Sequence, residues 1–141
     1  MKPLSMDFGD NRTYEYDFTN HHKIITDRRS VYSVTIGIVS NRDDISLFLK
    51  QVRSLKKYDR ATHHTWAVRI SHDGSIYESK NDDGETGAGG IVLRMLQKYH
   101  MVNTIICVTR WYGGIRLEAD RFRHVQDACI YALEYSKPDI L

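Results

Sequence analysis

A chain of 141 residues is long enough to bury one sizeable core and too short for two, and 41% apolar residues with only two prolines exclude a disordered or low-complexity polymer. A net charge of +2 and a pI near 8.5 fall short of the strongly basic balance of a dedicated nucleic-acid binder. With no apolar run of membrane-spanning length, charged residues where a signal peptide needs apolar ones, and two cysteines, Cys107 and Cys129, outside any metal or redox spacing, the chain reads as a soluble cytoplasmic protein with buried thiols.

Residues 1–23 read as an N-terminal extension in which Tyr14, Tyr16 and Phe18 alternate with Glu15 and Asp17, a pattern that allows a short edge strand. Asn20-His21-His22 reads as a turn and Thr26 to Ser30 as a polar connector. From Val31 to Val39 the alternation of Tyr32, Val34, Ile36 and Ile38 among β-branched residues predicts a half-buried strand. Ile45, Phe48, Leu49, Val52 and Leu55 then recur at helical spacing behind Asn41 and Asp43 as candidate caps. Trp66, Val68 and Ile70 mark a second strand, returned by the hairpin signal Asp73-Gly74 into Ser75 to Ser79. Val92, Met95, Leu96 and Tyr99 predict a helix from Gly89 or Gly90 to His100, and the apolar run between Thr104 and Thr109 an interior strand. Phe122, Val125, Cys129, Ala132 and Leu133 predict a last helix with Asp120 as cap, before a tail over residues 136–141. The order β, α, β, β, α, β, α predicts an α/β (α+β) fold: a two-layer sandwich with a mixed four-stranded sheet and its helices on one face.

Two glycine clusters carry the unusual chemistry. In the first, Asp82, Asp83 and Glu85 stand among Gly84, Gly87, Gly89 and Gly90. Three carboxylates in four residues can hold a hard cation, but the alternating ligands of a calcium loop are missing, as is the lysine of a phosphate loop. The bland alternative is a tight loop whose carboxylates favour the next helix N-terminus or pair with arginine. In the second cluster, Arg110, Trp111 and Tyr112 precede Gly113 and Gly114, followed by Arg116, Arg121 and Arg123. Arginine among exposed aromatics suits either a protein contact or a single-stranded nucleic-acid platform. The opposing reading buries Trp111 and pairs Arg110 with Asp83 or Glu85. His63 and His64 lie on opposite faces of their strand, so only one can join a given site. No catalytic triad is supported, and no cofactor is implied.

Taken together, Thr26 to Ser30, Ala61-Thr62-His63, Asp82-Asp83-Gly84-Glu85-Thr86 with Ala88-Gly89-Gly90, Arg110-Trp111-Tyr112-Gly113-Gly114-Ile115 and Asp120-Arg121-Phe122 resemble the IMPACT family, in its eukaryotic branch. The resemblance covers residues 24–135 and implies a domain with the fold of the second domain of small-subunit ribosomal protein five. It also implies a translational regulator that binds the activator of the general-control kinase, restrains phosphorylation of the alpha subunit of initiation factor two, and in some members binds actin monomers. Eukaryotic members usually carry an N-terminal RWD domain, for which the 23 residues ahead of the domain are too short. Leu117-Glu118-Ala119-Asp120 stands where the family more often has Leu-Gly-Pro-Asp, a change expected to relax that turn.

The leading expectation is a non-enzymatic interaction domain of translational control. Its contact residues are His63, Asp82, Asp83, Glu85, Arg110, Trp111, Tyr112, Arg116, Asp120, Arg121 and Arg123, with Gly84, Gly87, Gly89, Gly90, Gly113 and Gly114 shaping the loops. An RNA- or ribosome-binding domain using the arginines and Tyr112 is the second reading. A metal-dependent enzyme using Asp83, Glu85 and His63 is the third.

Overall fold

The computed structural model describes residues 18–136. Along the chain run β1 (Phe18–Asp27), β2 (Ser30–Ile38), α1 (Asp43–Arg53), a short 3-10 turn (Tyr58–Arg60), β3 (His63–His72), β4 (Ser75–Asn81), α2 (Ala88–Lys98), β5 (Thr104–Trp111) and α3 (Asp120–Tyr135). The five strands form one sheet in the order β1-β2-β5-β3-β4, and every neighbouring pair is antiparallel. The α+β sandwich class therefore stands, with five antiparallel strands where four in a mixed sheet were expected.

The added strand is β1. Asn20 to His22 and Thr26, expected in a turn and a connector, belong to a long arm that pairs with β2 from Phe18↔Gly37 to Asp27↔Ser30. Its hairpin turn is Arg28-Arg29, with φ of 45° and 71°. Two arginines in the left-handed region are not a hairpin signal, because L-residues adopt that conformation at a cost and Asn-Gly or Asp-Gly is the usual choice. Here the Asp27 carboxylate accepts from Arg28 Nη2 at 3.0 Å and steadies the turn. Register shifts between His21 and Ile25; inside that bulge the Lys23 N–H donates to Ser33 Oγ at 2.8 Å, so the amide is satisfied. The residues of the expected strand at Tyr14 and Tyr16 lie outside the described region.

The expected placement of all helices on one face is also corrected. Ile106 and Val108 of β5 pack with Tyr32, Val34, Ile36 and the inner faces of α2 and α3. The alternate residues Ile105 and Cys107 pack with Phe48, Leu49 and Val52 of α1 and with Tyr58. Successive side chains of a strand point to opposite faces, so α1 covers the face opposite α2 and α3. The crossovers β2-α1-β3 and β4-α2-β5 join parallel strands across one intervening strand, but they run in opposite directions along the sheet. Two crossovers of the usual right hand would put both helices on one face. Opposite faces mean that one crossover departs from that rule, and helical periodicity alone carries no information on this.

Burial on both faces explains why β5 from Thr104 to Arg110 is continuously buried. Each fully buried aliphatic side chain contributes about 1.5 to 3 kcal/mol, so this strand is a principal anchor of the domain. Arg110 ends its buried run, and the site is built around it.

Candidate functional site

The acidic loop joins β4 to α2, and its carboxylates are taken up by the fold. Asp82 accepts from the Gly87 N–H through Oδ2 at 2.9 Å and from the Gly89 N–H through Oδ1 at 2.7 Å. It thereby caps α2 from outside the helix. Those two amides hold its carboxyl below the usual aspartate range. A Cβ at Gly89 would stand only 2.7 Å from Asp82 Oδ1, so glycine is required there. Asp83 accepts from the His64 N–H at 2.7 Å, and its carbonyl accepts from His63 Nδ1–H at 2.8 Å. His63, Asp83 and Glu85 do not converge on a cation centre, and among the described residues no group of three or more His, Cys, Asp or Glu side chains does.

Glu85 forms the floor of the site. Only 3% exposed, it accepts from Arg110 Nη1 at 3.1 Å and 2.9 Å through its two oxygens and from Arg121 Nη1 at 3.2 Å. Arg110 itself is 5% exposed, and its other branch donates to Ser30 Oγ at 3.3 Å. Its guanidinium lies 5.5 Å from the Tyr32 ring centre and 5.6 Å from that of Tyr112. Burial pushes the Tyr32 hydroxyl up to about 12. Of the two pairings expected for Arg110, the one with Glu85 forms. Arg121 reaches further, donating to the Thr86 carbonyl at 3.2 Å and stacking 4.3 Å from the Phe122 ring centre.

Above this floor opens a cleft of about 540 Å³, walled by Thr62, His63, Tyr112, Arg116, Glu118 and Arg121. The second glycine cluster sets its rim. Gly113 packs so closely on the Arg29 backbone that a Cβ would collide with it, and its N–H donates to Ser30 Oγ at 3.2 Å. The Tyr112 N–H donates to Thr62 Oγ1 at 2.9 Å. These contacts fix the backbone while leaving Tyr112 47% and Ile115 43% exposed, with Arg116 exposed beside them. His63 uses Nδ1–H on the Asp83 carbonyl, so in the neutral ring Nε2 remains an acceptor. His64 lies on the opposite side of β3. It is buried, bonded to Thr109 Oγ1 at 3.0 Å and the Tyr58 carbonyl at 2.9 Å, and desolvation lowers its pKa.

Of the expected contact residues, the cleft thus gathers His63, Glu85, Arg110, Tyr112, Arg116 and Arg121, and Gly84 also lines it. Trp111 lies elsewhere, its indole N–H donating to the Lys57 carbonyl at 3.1 Å and its ring edge-on to Tyr58 at 4.8 Å. Asp120 does not cap α3 by its side chain. It is the first helical residue, and its carboxylate accepts from Arg28 and from Arg123, next to a His124–Asp27 contact of 2.8 Å. Gly90 borders open space. Thr62, Thr86, Leu117 and Glu118 line the cleft without having been expected there; Thr62 stood inside one of the motifs that carried the family resemblance. Glu118 adopts φ of +55°. Glutamate holds there a left-handed backbone that glycine adopts freely, at a cost of about 1 kcal/mol.

Fold and cleft together define an α+β sandwich domain with a basic, aromatic-rimmed cleft over a buried ion pair. The family model described as the Impact N-terminal domain matches residues 28–133, and the chain belongs to this family. It is 38% identical over 115 residues to Protein IMPACT-B of Xenopus tropicalis, covering 80% of this chain and 36% of that protein. To Protein IMPACT of Homo sapiens it is 34% identical over 133 residues, covering 90% and 42%. The chain thus spans less than half the length of these curated relatives. Among solved structures, the two-domain translational regulator Yih1 matches with 29% identity and a TM-score of 0.59, over 96% of this chain and 53% of that one. A crystal structure of a hypothetical protein matches at a TM-score of 0.73 and 22% identity, over 82% and 57%, a likeness of fold alone. The family is thus one that includes a translational regulator. Among the described residues no helix is long and apolar enough to cross a membrane.

Proposed function

We propose that the chain is a non-catalytic interaction domain of a cytoplasmic translation regulator, which binds the activator of the general-control kinase and so restrains phosphorylation of initiation factor two alpha. The observation that supports this reading is the exposed Tyr112 and Arg116 at the edge of a cleft over a fixed floor, with Ile115 exposed between them in the chain. Tyrosine and arginine at the edge of a preorganised cleft are the residues that dominate protein contacts. Nucleic acid is less well served, because Arg110 and Arg121 already share Glu85 and Glu118 adds a second carboxylate to the walls. Actin monomers are a further candidate for the same face.

The test is capture of the purified kinase activator by wild-type protein, Tyr112→Ala and Arg116→Glu. Truncating a hot-spot residue costs about 2 kcal/mol, or about thirtyfold in affinity, and a loss of that size is expected in each variant. Wild-type affinity in both would remove the cleft as the contact face. Binding to single-stranded RNA with a steep fall in salt, and none to the activator, would replace this reading by the ribosomal one.

A further inference from the structure

A second concavity lies on the other side of the Arg121–Phe122 ridge, between the outer faces of α2 and α3. Ile91, Arg94, Met95 and Lys98 contribute from α2, Gly87 from the residue just before it, and Phe122, Arg123 and Gln126 from α3, to a groove of about 650 Å³. The α2 positions recur at helical spacing and form a single stripe along its 11 residues, about 16 Å. Ile91, Met95 and Phe122 supply an apolar floor, while Arg94, Lys98 and Arg123 are exposed. Among the described residues the lining holds three cations and no carboxylate.

The imbalance is not offset by the helix itself, for α2 contains neither Asp nor Glu. Glu four residues from Lys or Arg would stabilise an exposed helix face, and α2 has no such pair. Lys98 in the last turn does complement the helix dipole, and Arg123 on the facing helix pairs with Asp120 at 3.1 Å, but neither contact explains Arg94 or the apolar floor. The neighbouring carboxylates are occupied: Glu78 by Arg69 at 2.9 Å and Gln97 at 3.1 Å, and Asp120 by both Arg28 and Arg123. Asp127 is exposed on α3 but does not line the groove.

We propose that this groove docks an acidic amphipathic helix of another protein, with apolar side chains one turn apart over Ile91, Met95 and Phe122 and carboxylates against Arg94, Lys98 and Arg123. The dimensions suit a helix of about three turns, read by anchors at i, i+3, i+4 and i+7. A second copy of the chain would bring like charges together. A flat anionic bilayer does not fit a concave surface, and one phenyl ring is a poor stacking platform for nucleic acid. The site is separate from the cleft assigned above to the kinase activator.

The experiment uses the full chain labelled at its isoleucine and methionine methyl groups and a designed four-turn peptide with leucines on one face and glutamates flanking them. Saturable shifts confined to the Ile91 and Met95 methyls are expected, with affinity falling about tenfold in Arg94→Glu/Lys98→Glu. The other methyl signals should stay in place, showing that the exposed substitutions leave the fold intact. The same peptide with lysine for glutamate should give no shifts. Absent or unsaturable shifts, equal response to both peptides, or undiminished binding in the double variant would overturn the proposal. So would a uridine oligonucleotide that moves the same methyls more tightly, or concentration-dependent shifts without peptide, which would mark a self-association face.

Discussion

The two glycine-hinged loops meet at one ion pair but use their charged residues in opposite ways. In the acidic loop, Asp82 caps a helix, Asp83 holds the backbone of β3, and Glu85 is buried against Arg110. In the basic loop, Arg110 is committed to the fold, whereas Tyr112, Ile115 and Arg116 face solvent on a backbone pinned by Thr62 and Ser30. A density of carboxylates that looks like a ligand site is scaffolding, because each of the three carboxylates answers a backbone or guanidinium donor inside the domain. The residues free to meet a partner stand on the other loop.

Removing one partner of the ion pair breaks that division most severely. Glu85→Ala leaves the Arg110 guanidinium buried without a counter-charge and is expected to cost about 3 to 5 kcal/mol, read as a lower urea midpoint at unchanged slope. The double variant Glu85→Leu/Arg110→Met, which removes both charges, should recover much of that loss. Gly113→Ala comes next at about 3 kcal/mol, because its methyl group can fit only if the hairpin at Arg29 moves.

On the acidic side, Asp82→Ala should cost about 1 to 2 kcal/mol at neutral pH through the lost cap. Its carboxyl titrates lower in the folded state than the unfolded value of about 4. The folded protein therefore binds fewer protons around that pH, and the Asp82 contribution is complete above it and lost as pH falls through the folded value. Stability measured across the acid range should fall less steeply in Asp82→Ala than in wild type. Tyr112→Ala and Arg116→Glu, by contrast, should leave stability within about 0.5 kcal/mol of wild type while weakening partner capture about thirtyfold. The smallest effect has the opposite sign: Glu118→Gly relieves a left-handed backbone and should stabilise by about 0.5 kcal/mol in thermal unfolding.

Much of the architecture was legible in the chain. Alternation in Tyr32, Val34 and Ile36, helical spacing in Val92, Met95 and Leu96, and Asp73-Gly74 at φ of 47° and 81° each rest on local stereochemistry, which a sequence displays directly. β1 was hidden because its turn uses two arginines and its bulge breaks the alternation at His22 to Ile24. The cleft was half legible. The glycines and arginines announced it, but Thr62 and Glu118 are ordinary residues brought there by β3 and by the turn before α3.

By itself the sequence determined the three helices, four of the five strands, the tight turn at Asp73-Gly74, and that two glycine clusters carry special chemistry, since all of these follow from periodicity and backbone freedom within a few residues. Only the tertiary structure decided which face α1 covers, that Glu85 rather than Asp83 takes Arg110, and that Trp111 turns away while Tyr112 stays exposed. Those outcomes depend on strand order and on contacts across as many as 83 positions, as between Ser30 and Gly113, where no local rule operates. The free energy of burying a charge selects the partner it finds.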